Sequence, residues 1–247
     1  MNADWDFYAL RVDDQPASIF VDLALASMAP LTEAPIMVYV SVRMRASRPD
    51  GLSSQEEFDE LISVERSLEA AITAGEGAVY AGRCTTAGYR DFYFYTADAR
   101  AAAAAAARAM AQHPAYAYVI DHREDAAWSV CRDFLCPNAR DMQRIQNRRT
   151  VDLLEQKGDC PDEPRWIDHR AYVPTRAIAD ALRAQLIEHG FRVSTEPSMD
   201  EQGIAVDFKR FDCPTEIDTV VISLFDMITS LGGTYDGWGC EVERAPR

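Results

Sequence analysis

Two groups of residues in this sequence are typed and spaced for chemistry or for gripping a partner. The first is a pair of histidines set in apolar stretches. Ile120-Asp121-His122-Arg123 recurs as Ile167-Asp168-His169-Arg170, and both stretches read as strands. Alternation puts His122 on one face with Tyr118 and Ile120, and His169 with Ile167, Ala171 and Val173. An imidazole on such a face is either a hydrogen-bonded core group or a pH-sensitive, ligand-binding one. His122 and His169 are therefore the candidate ligand residues, although their strands are not equivalent and the recurrence is read as coincidence. The second group is Tyr235-Asp236-Gly237-Trp238-Gly239. Two glycines two apart in a strand predict a bulge or a close backbone approach. Trp238 between them either plugs a core or anchors a partner. Tyr235, Asp236, Gly237, Trp238 and Gly239 are the candidate protein-binding residues.

Familiar catalytic arrangements are missing from the sequence. No Gly-x-Gly-x-x-Gly or Walker-type loop appears, and no Gly-x-Ser-x-Gly elbow or His-Glu-x-x-His. The carboxylates are scattered over helical surfaces, so none pair as acid and base. Six cysteines, at 84, 131, 136, 160, 213 and 240, form no Cys-x-x-Cys and have no histidine at ligand spacing. They read as free thiols. The expectation is a non-enzyme with no cofactor, no metal and no catalytic residue.

The formal net charge is −15, with a sequence pI near 4.6. Phosphate binding needs Lys and Arg to release counterions, so direct nucleic-acid contact is not expected. An acidic surface either keeps the chain dispersed or meets a basic partner. No run approaches the roughly 18–20 apolar residues of a membrane span. Met1-Asn2-Ala3-Asp4-Trp5-Asp6 places acid where a signal peptide carries positive charge. A cytoplasmic protein without membrane contact is expected.

The elements that must carry these residues follow a repeated order. Strands are expected at 5–12, 18–28 and 36–44. A capping box at Ser53-Ser54-Gln55-Glu56 predicts a helix to Gly75. Strands at 78–85 and 90–95, an alanine-rich helix at 98–112 and a strand at 115–123 complete the half. Trp128 to Leu135 reads as a short amphipathic segment, and Asn138 caps a helix to Lys157. Arg140, Arg144, Arg148 and Arg149 make the basic face of that helix, either paired within the chain or available for self-association. Beyond it come a strand at 165–173, a helix from Thr175 to Gly190, strands at 191–195 and 204–208, an apolar helix at 217–231 and a strand at 234–242. The reading is α+β, with two tandem ferredoxin-like βαββαβ domains whose antiparallel sheets carry helices on one face. Residues 1–125 form the first domain with two extra N-terminal strands, 126–160 a helical connector, and 161–247 the second domain.

Gly232-Gly233-Thr234-Tyr235-Asp236-Gly237-Trp238-Gly239 closes a βαββαβ unit after an apolar helix. With Gly190-Phe191-Arg192-Val193 and the Ile217–Leu231 helix, it resembles the regulator of ribonuclease activity B family over about 160–245. The N-terminal half, with Trp128-Ser129-Val130 and Phe134-Leu135-Cys136-Pro137, is similar to an uncharacterised bacterial domain often fused to that one. The resemblance implies a non-catalytic inhibitor that binds the scaffold region of ribonuclease E, or another basic RNA-processing protein. The alternative is a small-molecule binder or enzyme with a site between the two domains, in which His122, His169 and Phe92-Tyr93-Phe94-Tyr95 would take part.

Overall fold

The structure is a computed structural model that describes residues 3–195, 198–200 and 203–243. The chain divides into two compact units, 1–137 and 138–247.

The first unit runs β1 (Trp5–Val12), β2 (Gln15–Asp22), α1 (Leu25–Met28), β3 (Ile36–Arg43), α2 (Phe58–Thr73), β4 (Val79–Thr86), β5 (Tyr89–Thr96), α3 (Ala99–Met110) and β6 (Tyr118–Glu124). A π-helical turn at Val130–Leu135 follows. The sheet order is β1-β2-β4-β5-β3-β6, antiparallel throughout. Its last four strands have the ferredoxin-like order, and the β1–β2 hairpin extends the sheet beyond β4. Val38, Val40, Val42, Phe92 and Phe94 face α2 and α3 and are fully buried. The alanine run packs by one face, with Ala102, Ala105, Ala106 and Ala109 buried and Ala101, Ala104 and Ala107 exposed. Small side chains let the helix lie close to the sheet, and Asp98 caps it by accepting from the Ala101 N–H at 2.9 Å.

Two local expectations fail here. The second strand stops at Asp22, whose carboxylate accepts from the Ala24 N–H at 3.1 Å and turns the chain into α1. Ser53 to Glu56 make no capping box. Ser53 Oγ accepts instead from Arg90 at 3.1 Å, and α2 starts later, at Phe58, which is exposed. Glu57 accepts from the Arg45 and Ala46 N–H groups at 2.7 and 2.8 Å, so its carboxylate serves the end of β3.

The second unit runs α4 (Ala139–Gln156), β7 (Arg165–Val173), α5 (Arg176–Glu188), β8 (Arg192–Val193), β9 (Ser198–Asp200), β10 (Gly203–Asp212), α6 (Ile217–Ser230) and β11 (Thr234–Cys240). The order β11-β7-β10-β8 is again ferredoxin-like, with β9 added along β10. The strand expected at 191–195 shrinks to two residues, and the one at 204–208 extends over ten. Ile167, Ala171, Val173, Val206 and Phe208 pack against Ala179, Leu182 and Leu186 of α5 and Val221, Leu224 and Ile228 of α6. The stretch 126–160 is divided between the units: the π-helical turn lies in the first and α4 in the second. Arg165 and Asp159 form a buried ion pair at 2.6 Å, and the same carboxylate oxygen accepts from the Glu243 N–H at 2.7 Å. That carboxylate ties the segment before β7 to the segment after β11. No described helix is long and apolar enough to cross a membrane.

Gly82 marks the tightest point of the first sheet. It sits at φ +151° beside an irregularity in the β4–β5 register, and an added Cβ would lie 2.4 Å from the Phe20 carbonyl oxygen of β2. Gly77 also has positive φ, at +71°, but a Cβ there would meet nothing within 4 Å. Gly82→Ala should therefore cost about 2–4 kcal/mol from strain and overpacking, and Gly77→Ala about 1–2 kcal/mol from backbone conformation alone. Urea denaturation of the two variants checks the order.

Candidate functional site

The Tyr-Asp-Gly-Trp-Gly segment forms most of β11 and pairs with β7. Tyr235 lies opposite Ala171 and Gly237 opposite Arg170, so Asp236 is the extra residue of a bulge. Gly237 takes φ +126°, a conformation that L side chains rarely adopt. The bulge lets Tyr235 and Trp238 both face the helices. Tyr235 is buried, and a 2.8 Å hydrogen bond joins its hydroxyl to His169 Nδ1. Trp238 is half-buried opposite His169, and its Nε1–H donates to Asn147 Oδ1 of α4 at 2.8 Å. Asn147 is itself buried and donates to Asp218 of α6 at 2.7 Å. Tyr235 and Trp238 thus brace the strand from within, whereas Asp236 and Gly239 are exposed.

The two histidines occupy different units. His122 is exposed on β6, in register with Val38. His169 is 2% exposed, stacked on Phe208 at 5.3 Å with Phe191 edge-on at 5.7 Å. Its Nε2 has no hydrogen-bond partner among the described residues. Burial pushes its pKa down to about 4, with the Arg210 charge adding to the fall and Asp212 opposing it. Burial also pushes the Tyr235 hydroxyl up. At neutral pH this is an uncharged pair. On the basic face of α4, Arg140 meets Asp226 of α6 at 2.8 Å, Arg144 meets Asp141 at 2.7 Å, and Arg148 and Arg149 also have partners.

The other face of this sheet carries residues that the sequence reading did not single out. Trp166, Asp168 and Arg170 alternate outward on β7, and Lys209 and Phe211 on β10. Trp166 and Phe211 are 38% and 56% exposed and meet edge-to-face at 5.8 Å, with no helix over them among the described residues. The guanidinium of Arg192 lies 4.2 Å from the Trp166 ring centre and the Lys209 ammonium 5.5 Å from it. Asp207 and Arg170 pair at 2.6 Å beside them. The same alternation that turned His169 inward places Trp166 outward, so the signal was in the sequence. Among the described residues, no group of three His, Cys, Asp or Glu could hold a metal ion.

Residues 3–136, more than half of the chain, match the family model described as a family of unknown function, DUF695. The chain belongs to that family. Residues 144–240 match the model of regulator of ribonuclease activity B, so a DUF695 domain is joined here to a domain of that regulator class. The regulator match takes in most of α4, β11 and the outward face of β7 and β10. No curated protein matches the chain. Among solved structures, one titled as an unknown protein from Galdieria sulphuraria aligns over 83% of this DUF695 chain and 97% of its own, at 14% identity. Its TM-score is 0.22.

Two outcomes follow from the interior of the regulator domain. An unfolded chain protonates His169 near pH 6.5, but the folded domain holds it neutral down to about pH 4. The group's contribution is therefore complete above about pH 6.5 and falls by about 3 kcal/mol as pH drops toward 4. His169→Gln, which keeps a polar partner for Tyr235 without titrating, should flatten that part of the stability profile relative to the parent chain. Asn147→Ala should cost about 2–3 kcal/mol, because it leaves the Trp238 N–H unmet and removes the donor to Asp218. Thermal unfolding with near-UV dichroism as the signal checks both.

Proposed function

We propose that this chain is a non-catalytic, protein-binding regulator of a ribonuclease E-type endonuclease, docking through the open sheet face of its regulator domain. The observation that carries the reading is the exposed Trp166–Phe211 pair. Tryptophan dominates interface energetics when it fills a partner's pocket, and here it stands on the side of the sheet away from the helices. A partner rich in Arg and Lys suits it for two reasons. The chain carries a formal charge of −15, which speeds encounter with a basic segment. The Trp166 ring already accepts the chain's own Arg192 guanidinium at 4.2 Å, the geometry that a partner's arginine would use. In this reading Asp168, Asp236 and the bare backbone of Gly237 and Gly239 extend the contact along β11. Tyr235 and Trp238 shape that strand from beneath.

The test is biolayer interferometry of the full chain against the scaffold region of ribonuclease E from the same source. Saturable binding that weakens with salt is expected. Trp166→Ala should weaken it by roughly 30-fold, the effect of about 2 kcal/mol at a central aromatic. Because Trp166 is partly exposed, that variant should keep its fold, and circular dichroism verifies this. Absence of binding, or equal binding by the variant, would overturn the reading. So would capture of a single-stranded RNA in place of the protein, since aromatics on the central strands of such a sheet can also stack bases.

A further inference from the structure

The sheet face of the DUF695 unit away from α2 and α3 is covered in part by the 125–136 segment, which buries Trp128, Cys131 and Leu135, and a cleft of about 580 Å³ lies beside that cover, a size typical of small-molecule sites. Its floor comes from alternate residues of β3 and β5. Tyr39 and Tyr93 are cross-strand partners with rings 6.3 Å apart, and Ser41 pairs with Asp91. Phe134, from the π-helical turn, stands edge-on to Tyr93 at 6.0 Å. The apolar part of the cleft is therefore a Tyr–Tyr–Phe trough with Met37 in its lining.

The wall opposite the strands is held stiffly. Trp128 is fully buried with φ +56°, a conformation costly for a bulky residue. It is kept there by stacking on Tyr95 at 3.8 Å and by donating from Nε1 to the Ala34 carbonyl at 2.9 Å. The Asp125 carboxylate accepts from the Ser129 and Val130 N–H groups, the Ser129 hydroxyl and the Tyr95 hydroxyl, at 2.6–3.0 Å. Burial raises its pKa, but the hydrogen bonds from Ser129, Tyr95 and Val130 outweigh this and hold it at about 2. Strained backbone and π-helical turns both cluster at functional sites, where a fixed wall lowers the cost of ordering a ligand.

The charges of the cleft are unbalanced. Asp91 lines it, and its buried Oδ1 has no hydrogen-bond partner among the described residues. Burial pushes its pKa up, although Ser41 and Tyr93 hydrogen-bond to it. Asp133 on the turn and Arg123 on β6 are the other charged groups of the lining. Two carboxylates and one guanidinium thus face a single aromatic trough.

We propose that this cleft binds a free α-amino acid with an aromatic or large apolar side chain. The side chain lies between Tyr39, Tyr93 and Phe134, the ammonium group meets Asp91 and Asp133, and the carboxylate meets Arg123. A zwitterion satisfies both signs of charge at once, which an amine or an acid alone does not. Charge-assisted hydrogen bonds at both ends orient the ligand, while the trough selects its side chain.

Isothermal titration calorimetry of the full chain tests this with L-phenylalanine, phenethylamine and 3-phenylpropionate. L-phenylalanine should bind with Kd of about 10–100 micromolar, the range suited to a ligand of its size. Phenethylamine, which lacks the carboxylate, and 3-phenylpropionate, which lacks the ammonium, should each bind at least ~10-fold more weakly. Arg123→Gln should abolish the preference over phenethylamine, and Asp133→Asn should reduce the preference over 3-phenylpropionate. Both residues are exposed, so neither variant threatens the fold. The proposal is overturned if L-phenylalanine, L-tyrosine, L-tryptophan, L-leucine and L-methionine all fail to saturate at millimolar concentration. It is equally overturned if the two analogues bind as well as the amino acid, or if both variants keep its selectivity.

Discussion

An antiparallel strand gives every second side chain to the opposite face of its sheet, and in both units the paired helices, α2 and α3 in the first and α5 and α6 in the second, cover one face only. The covered faces are ordinary cores of Val, Ile, Leu and Phe. The opposite faces must hold large side chains without such a pair of helices, and the two units meet that need differently. In the second, Trp166 and Phe211 lean on each other under a cover of Arg192 and Lys209. In the first, the segment from Asp125 to Cys136 folds back over the strands, buries Trp128 and leaves a cleft beside Tyr93. Both functional readings arise from that one geometric debt.

Buried polar groups then decide which irregular segments belong where. Asp125 gathers four donors and fixes the π-helical turn. Asp159 binds Arg165 and the Glu243 N–H, closing the second unit at both ends. Asn147 links the Trp238 indole to Asp218 and so seats α4 on its own unit. Each of these groups would be costly to bury unpaired, so their pairing is specific in a way that apolar contact is not.

The order of elements in both halves could be read from hydrophobic periodicity and from caps. Asn138 accepts from a helix N–H group, as its position suggested, and Thr175 and Asp98 open their helices in the same way. Ser53 did not, because Arg90, far along the chain, claims its hydroxyl. The same limit applies to the candidate site. Alternation along β7 was sufficient to place His169 inside, yet the partner of Trp238 lies 91 residues away on a helix whose polar face gave no hint of it. The turn after Asp125 was read as amphipathic, but its π-helical geometry depends on a carboxylate network that no local pattern encodes.

The bulge at Asp236 has a consequence for how copies of this chain behave together. β11 closes one side of its sheet, and a straight, glycine-containing border strand offers a row of unpaired amides to any neighbouring chain. One extra residue breaks the even spacing of that row and puts a carboxylate in the gap, so a second strand cannot zip along it in register. The border of the first sheet is guarded by charge instead, with Asp121, Arg123 and Glu124 all exposed on β6. Aggregation by strand addition is thus discouraged on β11 and β6 by separate means, leaving the flat faces of the sheets free to be sticky.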